Sequence, residues 1–568
     1  QMKIFSSSFL GLCLISNMQI CLAQVRPDTG GLLKQIENVK SPVMPQSRGN
    51  LLNLESNNSE QITTENETRS ISVLSFRFIR NTVITSEQLS RLTIPFIGRS
   101  ISFSELQTLI KIISTTYSDA GWLARVYVPA QDITEGVIVI KVIESKLGQV
   151  LINEESKRVP VALSRATIEA NTTAGAPLNT QELNRAIALV SRIPGVAVSG
   201  SLAAGKAIGE TDVLLNLVDT PLLYGNASVD NNGSRMTGAT RASVNVSLAS
   251  PFGKGHLGAA NLIKTEGSEY LRLSHTLPIN PHGVRAGINA SHLSYQVTAT
   301  EFDALDIHGK ASTLGLDAVF PISVSTNLDS SVSVSLDQKA FSNYASTSIS
   351  SSYATRMMAL ILSARASDTW LRAGTTDAVL QISRGRLNFG DVQDIGEDSL
   401  IPKNYEKLNL SLQRNDFISE MFSISFAYKA QYTNQNLDSS EKFYLGGAAG
   451  VRAFPSGEGG GDRGELFSVS ARMRMSEKLT ADAFYDYGRI TVNARNDPLQ
   501  IASPASLNRF SLRGVGLSIS YAATVGSRIT ATLARRVSDS PIRNSVTGYD
   551  TDGSLSLNRF WLNANLTF

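Results

Sequence analysis

The chain has 568 residues, 42% hydrophobic and 18% charged, with a mean hydropathy of -0.03, which excludes both a disordered polyelectrolyte and a bundle of transmembrane helices. Its 52 Lys and Arg against 49 Asp and Glu leave a formal charge of +3, without the broad basic field of a nucleic-acid binder, so no nucleic-acid partner is expected. At about 150 residues per domain the length calls for several domains.

Met2 and Lys3, an apolar stretch over 9–20 and the exit Cys21-Leu22-Ala23 read as a secretory signal peptide over residues 1–23. The apolar part is shorter than the roughly 20 residues a spanning helix needs, and later segments are broken by charges, Gly or Pro. Both cysteines, Cys13 and Cys21, fall inside this segment, so no disulfide is expected in the mature chain. A lipid anchor on Cys21 is the rival reading, but Met18-Gln19-Ile20 lacks the small residues such processing needs. Residues 28–40, with Leu32, Leu33, Ile36 and Val39 on one side, predict a short amphipathic helix, and the Ser-, Asn-, Gln- and Glu-rich stretch 41–69 a flexible linker.

Residues 71–220 mix helical and strand periods. A strand over 71–79, a helix over 86–92, a capping box at 104–107 and a helix with Leu106, Leu109, Ile110, Ile113 and Tyr117 on its apolar face come first. Strands over 124–129 and 137–143 follow. From about 146 the order strand, helix, helix, strand, strand recurs over 149–152, 161–170, 180–192, 196–202 and 211–218, so one small module occurs twice, over 71–145 and 146–220. Gly200 to Lys206 comes nearest to a phosphate-binding loop, but Ala207 stands where a Ser or Thr would hold Mg²⁺, and the stretch reads as a hairpin turn.

Beyond residue 220 the period is two. Phe422, Ile424, Phe426, Tyr428, Ala430 and Tyr432 alternate with Ser423, Ser425, Ala427, Lys429 and Gln431, and the pattern returns at Val515, Leu517, Ile519 and Tyr521 and at Phe560, Leu562, Ala564, Leu566 and Phe568. An exported chain without a spanning helix has one membrane option, a closed barrel, because closure alone satisfies every backbone group in lipid. About sixteen such segments are expected over 221–568, joined alternately by short turns, as at 250–253, 278–281 and 476–478, and by longer loops, as at 337–352 and 491–508. A polar lumen is expected. The fold class is therefore mainly β: a sixteen-stranded transmembrane antiparallel barrel preceded by two periplasmic α/β modules.

Two such modules before a sixteen-stranded barrel resemble the transporters of two-partner secretion, the TpsB family, whose modules are called POTRA domains. The resemblance is carried by Arg26-Pro27-Asp28, Gly31-Leu32-Leu33, Gln35-Ile36-Glu37, Gly121-Trp122-Leu123 leading to Val128-Pro129-Ala130-Gln131, Arg192-Ile193-Pro194-Gly195 and Gly209-Glu210-Thr211-Asp212. It implies that residues 24–40 are a helix plugging the pore through Leu32, Leu33, Ile36 and Val39, tethered by a linker over 41–70. It also implies that the modules receive an unfolded exoprotein by strand addition, with Val128, Pro129, Gln131, Pro194 and Gly195 in the client groove.

The longest loop, about 434–464, is dense in glycine, which suits a tight hairpin. In the family this loop folds into the barrel, and its tip motif of the Val-Arg-Gly-Tyr type resembles Val451-Arg452-Ala453-Phe454, departing at Ala453 and Phe454. Alternation points Asp482, Phe484 and Asp486 into the lumen, and Phe484-Tyr485-Asp486-Tyr487-Gly488 resembles the family's Phe-x-Asp-x-Gly stretch. The resemblance thus implies an ion pair from Arg452 to Asp486, worth roughly 1.5 to 3 kcal/mol and weak enough to break during transport. It further implies an exoprotein partner bound through that partner's N-terminal secretion domain, contact with outer-membrane lipid, and insertion by the barrel-assembly machinery. No cofactor and no metal are expected. An outer-membrane hydrolase lacks support: His256, His275, His282, His292 and His308 show neither metal-ligand spacing nor a Gly-x-Ser-x-Gly elbow. A barrel-assembly factor is the alternative function.

Overall fold

The computed structural model describes residues 28–37, 52–53, 70–154, 156–173, 175–390, 401–496, 507–543 and 548–568. The signal-peptide reading, most of the linker and Val39 lie outside them. Helix α1 (Thr29–Glu37) opens the described chain, capped by Asp28, whose Oδ1 accepts from the Gly31 amide at 2.8 Å. A two-residue strand, β1 (Leu52–Asn53), follows.

The first module comprises β2 (Ser70–Val73), β3 (Ser75–Ile79), α2 (Ser86–Thr93), β4 (Arg99–Ser102), α3 (Phe103–Asp119), β5 (Ala124–Tyr127) and β6 (Val137–Glu144). Its main sheet runs β3-β6-β5, and β2 pairs only with β4. The single strand expected over 71–79 is thus two. The amides of Leu74 and Ser75 both donate to the Gly136 carbonyl, at 2.8 and 3.3 Å, which pinches the chain and hands its halves to different sheets. The capping box expected at 104–107 lies two residues earlier: Ser102 Oγ accepts from the Glu105 amide at 3.2 Å, and Glu105 Oε2 accepts from the Ser102 amide at 2.8 Å, because Phe103 is already helical. Leu106, Leu109, Ile113 and Tyr117 pack on Ile138, Ile140 and Val142 in one core. At its edge the Glu144 carboxylate accepts from the Thr82 and Val83 amides at 2.7 and 2.9 Å and from Tyr117 OH at 3.1 Å. Burial pushes this carboxyl up, but the donors of Thr82, Val83 and Tyr117 outweigh it and hold the group below its usual range.

The second module repeats the order with β7 (Lys146–Glu154), α4 (Val161–Ala170), α5 (Thr180–Ser191), β8 (Val196–Ala204) and β9 (Glu210–Asp219) around a core of Ile168, Leu183, Ile187, Val213 and Leu215. Asn179 caps α5, its Oδ1 accepting from the Gln181 amide at 2.8 Å. The sheet order is β1-β8-β9-β7, so β1 adds a fourth strand to the module's edge.

The barrel begins with β10 (Leu223–Asp230), β11 (Arg241–Ala249), β12 (Leu257–Lys264), β13 (Ser268–Pro278), β14 (Arg285–Gln296), β15 (Ile307–Val324) and β16 (Leu328–Ala345). It continues through β17 (Ser348–Asp368), β18 (Gly374–Phe389), β19 (Asn404–Phe417) and β20 (Phe422–Tyr432). A small hairpin, β21 (Phe443–Tyr444) with β22 (Gly460–Gly461), interrupts the wall before β23 (Arg463–Arg474), β24 (Leu479–Thr491), β25 (Arg509–Tyr521), β26 (Ser527–Arg536) and β27 (Asn558–Thr567). Leaving the hairpin aside, sixteen antiparallel strands close where β27 meets β10, with Ser228 opposite Asn565. Closure leaves no free edge, which is what lipid demands. Phe422, Phe426, Tyr432, Leu517, Ile519, Phe560 and Leu566 are exposed on the outer wall.

The loop expected over 337–352 is not a loop. Strands β16 and β17 run through it to a two-residue turn, where Ser346 takes a φ of 53°. Its Ser- and Asn-rich composition is compatible with a ladder because Phe341 and Tyr353 face each other and stack, with ring centroids 4.7 Å apart. At the opposite rim the second module docks on the turns from β13 to β14 and from β15 to β16. Arg185 Nη1 donates to the Ile322 carbonyl at 2.8 Å, Asn171 Nδ2 to Pro281 at 3.1 Å, and Arg192 pairs with Asp329.

Candidate functional site: the occupied lumen

The connection from β20 to β23, residues 433–462, turns into the barrel. It carries a short 3-10 turn, Ser439–Glu441, then the small hairpin, and its tip lies against β24 and β25. At the tip Val451, Ala453 and Phe454 are wholly buried. Arg452 reaches the wall: Nε donates to Asp486 Oδ2 at 2.8 Å, Nη2 to Asp486 Oδ1 at 2.6 Å, and the Arg452 amide to Oδ2 at 3.1 Å. This is the planar fork that matches a carboxylate. Ser468 Oγ bridges the pair, accepting from Arg452 at 3.0 Å and donating to Asp486 at 2.7 Å. The guanidinium carbon stands 3.3 Å from the centre of the Phe484 ring. Gly488 makes the approach possible, since a Cβ there would lie 2.7 Å from Leu445 Cδ2 and 3.0 Å from Val451 Cγ2.

The two departures from the family motif have local explanations. Ala453 is not among the residues with positive φ, so its methyl carries no backbone strain. That methyl faces Gly514, where a Cβ would come within 2.6 Å of it. Phe454 lies under the Arg536 guanidinium, 4.4 Å from its ring centre. Sequence reasoning missed these supporting residues. Arg536 Nε donates to the Ala453 carbonyl at 3.1 Å and its Nη1 to Asp550 at 2.8 Å; Trp561 Nε1 donates to the Arg452 carbonyl at 2.7 Å. Glu458 accepts from Ser540 Oγ at 2.6 Å and from the Thr551 amide at 3.3 Å.

Helix α1 sits in the lumen beside this loop. The Thr29 amide donates to Asn343 Oδ1 at 2.9 Å, Lys339 Nζ pairs with Glu37 Oε2 at 2.8 Å, and Ser439 Oγ of the loop donates to Asp28 Oδ1 at 2.6 Å. Gly30 and Gly31 bring the helix backbone against the loop and wall: a Cβ on Gly30 would meet Ser439 Oγ and Tyr353 OH at 2.6 Å, and one on Gly31 would meet Tyr444 OH at 2.7 Å. Leu32 and Leu33 are buried, and Ile36 partly, against Ile263, Tyr270, Leu293, Phe341, Tyr353 and Leu387. The lumen is therefore not uniformly polar as expected: these inward residues form an apolar stripe across neighbouring strands. A second ion pair, Lys407 Nζ to Glu441 Oε2 at 2.5 Å, ties the 3-10 turn to β19.

The five residues expected in a client groove do not share one place. Val128 and Pro129 continue from β5, the edge strand of the first module. Gln131 is spent on its own module, its Nε2 donating to the Val139 carbonyl at 2.9 Å and its Oε1 accepting from the Val139 amide at 2.7 Å. Pro194 and Gly195 lie at the junction with the barrel, where a Cβ on Gly195 would come within 2.8 Å of Ser250 Cβ. The equivalent edge of the second module, β8, is covered by β1 in parallel register, Leu52 opposite Gly200 and Asn53 opposite Ser201.

A family model described as haemolysin secretion/activation protein ShlB/FhaC/HecB matches residues 209–509, and one described as POTRA domain, ShlB-type, matches 71–145. The heme/hemopexin transporter protein HuxB of Haemophilus influenzae is 24% identical over 579 residues, covering 100% of this chain and 98% of that protein. The outer membrane transporter CdiB of Dickeya dadantii is 22% identical over 68% of this chain and 70% of its own length. Among solved structures, CdiB from Escherichia coli superposes with a TM-score of 0.69 at 16% identity, with 100% of both chains covered, which is a likeness of fold. The chain belongs to the ShlB/FhaC/HecB family of haemolysin secretion/activation proteins, and is a two-partner secretion transporter that exports an exoprotein across the outer membrane.

Proposed function

We propose that the lumen described here is the closed state of the export pore, and that export requires α1 to leave while the tip of the inward loop stays. The single observation that carries this reading is the seating of α1: capped by Asp28, paired through Glu37 with Lys339, and packed by Leu32 and Leu33 on the apolar stripe. The cavity left between helix and loop is about 390 Å³. With α1 held to the wall through Glu37 and Lys339 and to the loop through Asp28 and Ser439, an extended client passes only once the helix has left.

The client adds as a strand to a module edge, where main-chain hydrogen bonds give affinity with little sequence demand. At β8 it competes with β1, and because β1 and α1 share one tether, displacing the strand frees the helix. The transporter is not an enzyme; export draws on client folding outside rather than on nucleotide. Outer-membrane lipid and the barrel-assembly machinery complete its partners. Co-expression with its exoprotein, blotting medium and periplasm, tests the reading: wild type puts the client in the medium, and a folded Arg452→Ala barrel retains it. Client export that never depends on this chain, with other barrels disturbed by its loss, would contradict it.

A further inference from the structure

Lys407 meets Glu441 in the lumen, so its row on β19 faces inward, and the alternate row, with Leu408 and Leu412 exposed, faces lipid. This outer row is apolar only in its middle. It starts at Glu406, which pairs with Arg384, and ends at Arg414 and Asp416 on the side of the periplasmic modules. From Glu406 to Arg414 the strand rises about 26 Å, or about 20 Å along the membrane normal at a tilt of about 40°. Arg414 therefore stands where the hydrocarbon meets the headgroups of the periplasmic leaflet.

Here Arg414 Nη1 and Nη2 hold Asp368 at 2.6 and 2.9 Å, Nε and Nη2 reach Asp416 Oδ1 at 2.9 and 2.7 Å, and Nη1 donates to Thr376 Oγ1 at 2.9 Å. Four of these contacts are hydrogen bonds, and the fifth, Nη2 to Asp416, is an ion-pair contact. What remains is capacity to accept. Asp416 is 3% exposed and its unpartnered Oδ2 is buried, so the carboxylate a ligand reaches is that of Asp368, 37% exposed, whose Oδ1 also accepts from the Trp370 amide at 3.0 Å. Two carboxylates against one guanidinium leave the cluster with one net negative charge. An open groove of about 460 Å³ leads from it past Trp370, which is 82% exposed, to Phe426, Tyr428 and Phe467.

We infer that this groove binds the primary ammonium headgroup of an aminophospholipid of the periplasmic leaflet. The ammonium donates to the Asp368 carboxylate and lies against the Trp370 ring, and the acyl chains run over Phe426, Tyr428 and Phe467. A phosphate is not the anchor this site favours, since Arg414 is already engaged by Asp368, Asp416 and Thr376 and the Asp368, Arg414 and Asp416 cluster is itself net negative. A quaternary headgroup brings the charge but no N–H. The inference rests on the outer-membrane placement of the barrel and is independent of how the pore opens.

The test is native mass spectrometry of the full chain in detergent, exchanged against equimolar phosphatidylethanolamine, phosphatidylglycerol and phosphatidylcholine. Wild type is expected to retain phosphatidylethanolamine about fivefold over either competitor. Asp368→Asn, with folding checked by heat-modifiable mobility, brings the ratio to one, and Trp370→Ala, at an exposed turn, lowers it by about half. Glycerophosphoethanolamine, which has the headgroup without chains, displaces none of the bound lipid. Equal retention of the three lipids by wild type, or a preference that both variants leave intact, overturns the site. Displacement by the chainless headgroup assigns the groove to a soluble amine and overturns the lipid.

Discussion

Two objects fill the lumen, and they are held differently. The tip of the inward loop buries Val451, Ala453 and Phe454 completely, and Asp486, Arg536 and Trp561 fasten it from three strands. Helix α1 has nine residues, one ion pair to the wall and a pair of glycines where bulk would be rejected. The nine described residues of α1 are fewer than the roughly 12 to 15 that hold together alone in water, so the proposal expects the pore to shape α1 and the helix to melt on leaving it. On the reading proposed above, the loop tip is part of the wall and the helix a removable stopper. The Arg452 to Asp486 pair, expected to be weak enough to break during transport, is one contact among many here, and the proposal has it stay.

The comparison is broken most severely by Asp486→Ala. It strands the partly buried Arg452 guanidinium, costs about 3 kcal/mol, and is expected to lower the melting temperature of the folded barrel and to abolish secretion. An unchanged melting temperature would place the loop tip among the removable parts. Gly30→Val attacks the stopper instead: overpacking against Ser439 and Tyr353 costs about 1 to 3 kcal/mol of seating, and single-channel recordings should show the pore open far more often with barrel stability unchanged. Unaltered conductance would mean that α1 does not close the pore.

A control separates both from the periplasmic modules. Glu144→Gln removes a carboxylate that accepts from Thr82, Val83 and Tyr117, at about 1 to 3 kcal/mol, and should destabilise the first module in hydrogen exchange without moving the conductance. Its sign with pH follows from a carboxyl lowered on folding. The stabilisation is complete above the unfolded value of about 4.3 and is lost as pH falls through the lower folded value. Wild type should therefore lose protection in this module on acidification through that window, and Glu144→Gln should not. The smallest effect is that of Asp28→Ala, which removes the cap of α1 at about 1 kcal/mol and should raise the opening frequency about fivefold or less.

Much of this architecture is legible in the sequence because a barrel wall repeats one rule. Alternation at 421–432 and 515–521 fixes which side chains meet lipid, and with it the inward facing of Asp482, Phe484 and Asp486. The rule misleads where composition imitates something else. The Ser- and Asn-rich 337–352 reads as a loop until Phe341 and Tyr353 stack across it, and 71–79 reads as one strand because the pinch at Gly136 comes from sixty residues away. The supports of the loop tip were invisible for the same reason. Trp561 and Arg536 reach residues 452 and 453 only after the barrel has closed. Gly30-Gly31 carried a usable signal, since two glycines inside a helix lower its propensity and call for close contact.

The central claim, that the helix leaves and the loop tip stays, is tested most directly with two engineered disulfides, no cysteine occurring after Cys21. One pair, Gly30→Cys with Ser439→Cys, locks helix to loop, where a Cβ on residue 30 would lie 2.6 Å from Ser439 Oγ. The other, Val451→Cys with Gly488→Cys, locks loop tip to wall, where a Cβ on residue 488 would lie 3.0 Å from Val451 Cγ2. Because each pair also adds bulk at a glycine, each is compared with its own reduced form: oxidation of the first should stop secretion of the exoprotein and reduction restore it, whereas oxidation of the second should leave secretion at the level of its reduced form. Secretion that continues with the helix locked, or stops with the loop tip locked, would contradict the account.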